Sequence, residues 1–223
     1  MWGKIEANKI KELYNNPVNL VDAKGTVHPK SYFQDNTKLE TFNVYPVVNK
    51  NSMPNKQFLY YGIDETFAWK STNKNIERTY TATVKPLDDK NEVWTKAEID
   101  DGSAPSGKKA KDPKLDEDGN QRVKYGLKTL LTKEVKSQQS SLLALTDKWI
   151  VRKAEKGTAI PSTVTTWRDG IRSAATTMQT KITDASDFDA ISALFDATYN
   201  SSGILTAPAP LYNFPSKPDG MPE

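Results

Sequence analysis

Cysteine is absent from this chain of 223 residues, and histidine occurs once, at His28. The first absence removes disulfides, thiolate metal sites and cysteine nucleophiles together, and it suits folding in a reducing compartment. The second removes His-based triads, the HExxH metal helix and every multi-histidine cluster. His28, between Val27 and Pro29 in an expected turn or strand edge, is therefore read as structural. Long apolar runs are missing too. The opening MWGKIEANKIKELY contains no uncharged stretch of the ~7–15 apolar residues of a signal peptide, and nothing later approaches the ~20 that cross a bilayer. A soluble, non-secreted polypeptide without membrane contact is expected. Charge of one sign is also scarce: 31 basic and 28 acidic residues are interleaved, leaving a net +3 and no concentrated field for a polyanion. Nucleic acid is not an expected partner.

Phosphate-binding loops of the Walker or dinucleotide type do not occur, because Gly102 and Gly107 precede Lys108-Lys109 in a polar segment that joins no strand to a helix. Asp116-x-Asp118-Gly119-Asn120 has the look of a calcium loop, but its glycine falls too early and the bidentate Glu is missing. The run Lys108, Lys109, Lys111, Lys114 lacks interleaved aromatics and is diluted by Asp112, Asp116 and Asp118, as in a solvated loop. A hydrolase built on two carboxylates is compatible with the residue types, yet no motif speaks for it. No catalytic residue, cofactor or metal is expected, and the chain is read as a non-enzyme.

What the sequence does contain is a folded core's worth of large anchors. Five Trp, nine Tyr and seven Phe stand in a polar background of mean hydropathy -0.68, a combination that disordered chains lack. The pattern is α+β. An N-terminal β-rich domain spans residues 1–97, with antiparallel strands expected because apolar positions alternate between turn signals. Ile76, Arg78, Tyr80, Ala82 and Val84 form one face of a strand and Glu77, Thr79, Thr81 and Thr83 the other. Trp2–Glu6 and Lys9–Tyr14 flank a tight turn at Ala7-Asn8, a second turn is read at Ala23–Thr26, and a short helix at Thr37–Phe42 precedes a strand entered through Val44-Tyr45-Pro46.

Residues 98–122, which include DGSAPSGKKAKDPKLDEDGN, carry almost no apolar side chains and are expected to form a polar linker or long loop. The period then becomes helical over 123–200. Leu127, Leu130, Leu131, Val135 and Leu142 predict a long amphipathic helix. Thr146 and Asp147 offer capping oxygens to a second helix with Trp149, Ile150 and Ala154, stopped at Gly157. A third begins at Pro161-Ser162 and repeats Val164, Trp167, Ile171, Ala174, Met178, Ile182 and Ala185 at intervals of three and four. Ser186 is read as the cap of a last short helix. A small antiparallel bundle or hairpin is expected.

The final segment, 201–223, is rich in proline and is predicted to be an extended arm, mobile in isolation, with Leu211, Tyr212 and Phe214 wet until a partner covers them. These three, together with Trp149 and Trp167, are the candidate partner-binding residues, although Trp167 shares a helical face with Val164 and Ile171 and also reads as a core anchor.

Leu142, Leu143, Thr146, Asp147, Trp149, Val151, Pro161, Trp167, Arg168 and Arg172 form a leucine-rich helix, a Thr-Asp turn, a loop ending in Pro and a helix with an aromatic followed by two arginines four residues apart. This resembles the C-terminal module of phage tail assembly chaperone and tail-fibre-assembly-like proteins. Trp2-Gly3-Lys4-Ile5, Tyr14-Asn15-Asn16-Pro17, His28-Pro29-Lys30, Phe33, Leu39 and Val44-Tyr45-Pro46-Val47 resemble the N-terminal part of small structural proteins of marine tailed phages. The resemblance implies a non-enzymatic tail, baseplate or tail-fibre component of a virion. Its partners would be other tail or virion proteins in a homo- or hetero-oligomeric assembly, in the host cytoplasm before the particle is complete. The alternative it implies is an assembly chaperone that binds its client only transiently.

Overall fold

Two compact units, Met1–Val84 and Lys85–Glu223, make up the chain, and the computed structural model describes residues 1–219. The expected α+β organisation is present, with a sheet in the N-terminal unit and helices in the C-terminal one.

The N-terminal unit is built on two hairpins joined by one strand. Strands β1 (Trp2–Glu6) and β2 (Lys9–Tyr14) are linked through Ala7 and Asn8, both at positive φ (47° and 63°). Two consecutive left-handed residues give the turn whose twist matches that of the strands it joins. The short pair β3 (Leu20–Val21) and β4 (Val27–His28) follows, turning at Gly25. A tight turn at Lys30–Gln34 leads into α1 (Asn36–Glu40), whose first N–H groups are capped by the Asp35 carboxylate. Strand β5 (Val44–Asn49) then runs between the hairpins, and β6 (Tyr60–Lys70) and β7 (Asn75–Val84) form the second hairpin.

The sheet order is β2-β1-β5-β7-β6. It is mixed: β5 pairs antiparallel with β1 but parallel with β7, a pairing that alternation of apolar residues does not reveal. Proline explains how one strand serves both neighbours. Val44, Tyr45 and Pro46 pair with β1, whereas Val47, Val48 and Asn49 pair with β7. Pro46 lacks an N–H and is poorly suited to a strand flanked on both sides, and it stands where β5 passes from one partner to the other. Beyond the end of β5, the Asn51 side chain accepts from the Tyr80 N–H and donates to the Tyr80 carbonyl, both at 2.9 Å, in place of the missing strand. The sheet curls far enough that Trp69 on β6 donates to Asn8 in the β1–β2 turn, at 3.0 Å. Ile5, Leu20, Phe33, Leu39, Val44, Leu59, Ile76 and Tyr80 are buried, and the Trp2 and Tyr14 rings meet Phe33 edge-on.

The segment read as a linker is ordered and belongs to the C-terminal unit, so the break falls at Val84/Lys85 and not near residue 98. Strand β8 (Lys90–Asn91), helix α2 (Lys96–Asp100) and strand β9 (Val123–Lys124) frame it, with bridges Val93–Pro113 and Leu115–Gln121. Polar chemistry substitutes for the apolar burial it lacks. The Gln121 amide donates to the carbonyls of Glu92, Lys114 and Arg122. Lys114 lies 4.6 Å from the centre of the Trp94 ring and pairs with Glu98 at 2.5 Å, while Thr95 and Glu98 close a reciprocal cap on α2. A count of apolar residues misses this kind of order.

Helices α3 (Leu127–Ala144), α4 (Asp147–Lys156), α5 (Ser162–Asp184) and α6 (Phe188–Ala193) follow. The first turn of α3 has its free N–H groups met from upstream: Pro86 and Leu87 carbonyls accept from Leu127 and Lys128, and Asp89 accepts from the Gly126 N–H and the Thr129 hydroxyl. Helices α3 and α5 bury Leu127, Leu131 and Val135 and Val164, Ile171, Ala175, Met178 and Ile182 respectively. Asp187, not Ser186, caps α6, because its carboxylate reaches the Ala190 N–H at 2.8 Å. A two-stranded ribbon, β10 (Thr198–Tyr199) with β11 (Leu205–Ala207), precedes the arm.

Gly126 has an ordinary φ, yet a Cβ on it would lie 2.3 Å from the Leu87 carbonyl oxygen and 2.5 Å from backbone atoms of Asp88. Gly126→Ala should therefore cost ~1–3 kcal/mol in urea unfolding, whereas Gly62→Ala, with nothing within 4 Å of its Cβ, should leave the midpoint nearly unchanged; equal effects would contradict the close approach. Glu98 is held down from the ordinary 4.5 to about 2, first by Lys114 and then by Thr95. Because its folded value lies below its unfolded one, the stability it contributes is complete above pH ~4.5 and is lost as pH falls toward ~2. Over that window Glu98→Gln should show a flatter fall of stability than the native chain, and an identical acid limb would refute the pairing.

Candidate functional site

Several of the residues singled out by sequence, Leu142, Leu143, Thr146, Asp147, Trp149, Trp167 and Arg168, meet at the corner where α3 turns into α4 and crosses α5. Thr146 is buried (1% exposed) and stands at the N-cap position of α4, but its side chain makes no capping hydrogen bond there. Its hydroxyl donates to the Leu143 carbonyl and accepts from Arg168. Arg168 itself is 7% exposed, and its Nη1 reaches the Leu143 carbonyl, the Thr146 hydroxyl and the Asp147 carboxylate, each at 2.8 Å. One guanidinium thus ties the end of α3, the turn and the start of α4 to the N-terminal part of α5. Beside it, Val164, Trp167 and Ile171 form a buried cluster against which Leu142, Leu143, Trp149, Ile160 and Phe214 pack. Arg172 lies outside this corner, in an exposed pair with Asp169.

The arm is part of the same structure. Among its described residues, Leu211 is 2% exposed and its N–H donates to the Leu194 carbonyl at 2.9 Å. The Tyr212 ring lies 5.9 Å from that of Phe195, and burial, aided by a hydrogen bond to Glu134 of α3, pushes its hydroxyl above the ordinary value. Phe214 joins the Trp167 cluster, and the Trp167 indole N–H donates to the Pro215 carbonyl at 3.1 Å. The expected mobile arm with wet aromatics is thereby corrected for the described residues; Pro222 and the rest of 220–223 lie outside them. The physical reason is tethering. Proline restricts the free arm in advance, and a surface on its own chain is present at high effective concentration, so an intramolecular groove competes ahead of any external one. Between the arm, the β10–β11 ribbon and α5, a groove of about 870 Å³ remains, lined among others by Ala174, Met178, Pro208 and Pro210.

Of the candidate partner-binding residues, Leu211, Phe214 and Trp167 are therefore used inside the unit. Tyr212 is 39% exposed, and Trp149 is half-buried with an indole N–H that is buried and meets no hydrogen-bond acceptor. Sequence reading had assigned no role to Arg168, and the signal for one was available: an arginine directly after an inward-facing Trp, on a helix face that otherwise repeats apolar residues.

His28 lines a separate cleft of about 710 Å³ in the N-terminal unit, with Asp22, Tyr32, Phe42, Lys4 and Lys38 among its walls. Its Nε2 lies 3.2 Å from Asp22 and its Nδ1 3.3 Å from the Tyr32 hydroxyl. Donation from Nε2 to the carboxylate and from the phenol to Nδ1 satisfies all three groups, and leaves neither ring nitrogen open to a substrate proton. The Thr26 N–H, followed by His28, holds Asp22 below its ordinary value. Among the described residues no group of three or more His, Cys, Asp or Glu could hold a metal ion, and no helix is long and apolar enough to cross a membrane.

Leu211→Ala should cost ~2–5 kcal/mol in the isolated protein, and deletion of 206–223 should lower the melting temperature of the helical signal in circular dichroism. An unchanged melt in both variants would return the arm to the role of a free tail.

Comparison with family models, curated proteins and solved structures gives no match to this chain.

Proposed function

We propose that this chain is a non-enzymatic structural and interaction protein of a tailed bacteriophage, a tail, baseplate or tail-fibre-associated component of the virion. The observation that carries the reading is the corner described above. Thr146, Asp147, Trp149, Trp167 and Arg168, through which the helical module resembles tail assembly chaperone and tail-fibre-assembly-like proteins, are brought together in one hydrogen-bonded and packed arrangement. They act as a unit that holds three helices, which is what a shared module requires of its shared residues.

Surface composition supports an assembly role. Leu145, Ile150 and Val151 are 60%, 40% and 50% exposed, and on the β10–β11 ribbon and its turn Tyr199, Ile204 and Leu205 are 62%, 63% and 53% exposed. Single exposed apolar residues are ordinary, whereas neighbours grouped on one helix or one ribbon mark contact surfaces. Many modest contacts of this kind hold together through avidity in a large particle, without any one being strong.

Quantitative mass spectrometry of purified virions from the phage that encodes the chain should find it at a fixed copy number relative to tail proteins. Its absence from particles, together with its presence in infected cells bound to a tail protein, would replace this reading with that of a transient assembly factor.

A further inference from the structure

The groups that anchor the arm lie upstream of a proline hinge. Leu211 is buried and donates its N–H to the Leu194 carbonyl, and the Tyr212 hydroxyl donates to Glu134 of α3. Phe214 packs on the Val164–Trp167–Ile171 cluster, and the Trp167 indole donates to the Pro215 carbonyl. Pro215 lies close over α5 because Gly170 has no side chain: a Cβ there would be 3.3 Å from the Pro215 Cγ. Between the end of β11 at Ala207 and the first anchor at Leu211 stands Pro208-Ala209-Pro210. Its two prolines have no N–H, and the first backbone hydrogen bond beyond the ribbon among the described residues is that of Leu211. The arm can therefore leave its socket as a local event, without breaking a helix or the ribbon.

We infer that two copies of the chain exchange their arms, each seating Leu211, Phe214 and Pro215 in the socket of the other, with Pro208-Ala209-Pro210 as the hinge. Identity selects a second copy as the occupant. The segment that fits the socket is this chain's own, and another copy brings the same side chains on the same backbone. An exchanged pair makes the socket contacts of two closed chains, so concentration decides between the two forms. The hinge favours exchange, because a segment restricted by proline before it opens loses little further freedom on extending toward a neighbour. In dilute solution the tethered arm closes on its own chain; where copies are crowded to the concentration that the tether supplies, the arm of a neighbour competes. Exchange between two copies is reciprocal, so it closes and leaves no socket empty. It requires only a second copy, and thus goes beyond the virion reading and stands apart from it.

The chain has no cysteine, so Ser216→Cys, at an exposed position of the arm, gives a single site for a spin label. Full-length chain carrying this label is mixed with isotope-labelled native chain, and the two are unfolded in urea and refolded together at ~1 mM, the order of concentration that a short tether supplies. The spin label of one chain should broaden the Trp167 indole signal of the other in nuclear magnetic resonance. Refolding at about a hundredfold lower concentration should remove the broadening, and a spin-labelled chain that also carries Leu211→Asp and Phe214→Asp should cause none. Deleting 208–210 removes ~10 Å of reach. The shortened chain should sediment as a dimer at concentrations where the native chain is a monomer, with the Leu211 amide still protected from hydrogen exchange. No broadening in the concentrated native mixture, a shortened chain that stays monomeric, or broadening that survives the two aspartates and so reports pairing through another surface, would each overturn the exchange.

Discussion

The C-terminal unit depends on a buried cation. Arg168 could not be placed at the α3–α4–α5 corner by hydrophobic packing, since taking a guanidinium out of water is costly unless its donors are met. Nη1 is met by a carbonyl, a hydroxyl and a carboxylate that all belong to one short stretch, Leu143 to Asp147, while Nε is buried without a hydrogen-bond partner. The condition runs both ways. Arg168 finds its acceptors only if the chain turns at Thr146, and the turn, whose Leu143 carbonyl also accepts from the Thr146 N–H and hydroxyl, is tied to α5 only if Arg168 is there. Once that corner is set, the direction of α4 is fixed, Trp149 and Trp167 are brought to one cluster, and a slot opens beside Trp167 that Phe214 and the Pro215 carbonyl fill.

The same logic of satisfied polar groups shapes the rest of the chain. Asn51 supplies hydrogen bonds to β7 where β5 ends, Asp89 and two backbone carbonyls close the open start of α3, and Gln121 ties three carbonyls of a segment with almost no apolar residues. Each device acts where a strand or helix would otherwise leave donors or acceptors bare, at a cost comparable to a lost hydrogen bond. A polar chain of modest hydropathy can thus form ordered units with small cores, provided its side-chain amides and carboxylates finish what the regular elements leave open.

This arrangement also separates what is occupied from what is available for binding. Trp167, Leu211 and Phe214 look adhesive in the sequence and are consumed by the fold. Among the apolar residues that remain outside are Ile150 and Val151 on α4, Leu145 just before it, and Tyr199, Ile204 and Leu205 on or beside a thin ribbon. The aromatic arm is thus spent within its own unit, whereas α4 is held mainly at its inner edge through Trp149.

The sequence by itself determined the elements whose cause is local. The hairpin at Ala7-Asn8, the turn at Gly25, the helix after Asp35, the stop at Gly157, the start at Pro161 and the apolar face of α5 each follow from a backbone preference or a repeat within a few residues. Tertiary structure alone decided the parallel pairing of β5 with β7, the ordering of 98–122, the burial of Arg168 and the docking of the arm. In each of these the partner is remote in the chain, and a side chain's type tells what it can bond but not which distant group arrives to bond it. Even the length of β6 escaped local reading, because its alternation is weak and its register is set by β7 along nearly its whole length.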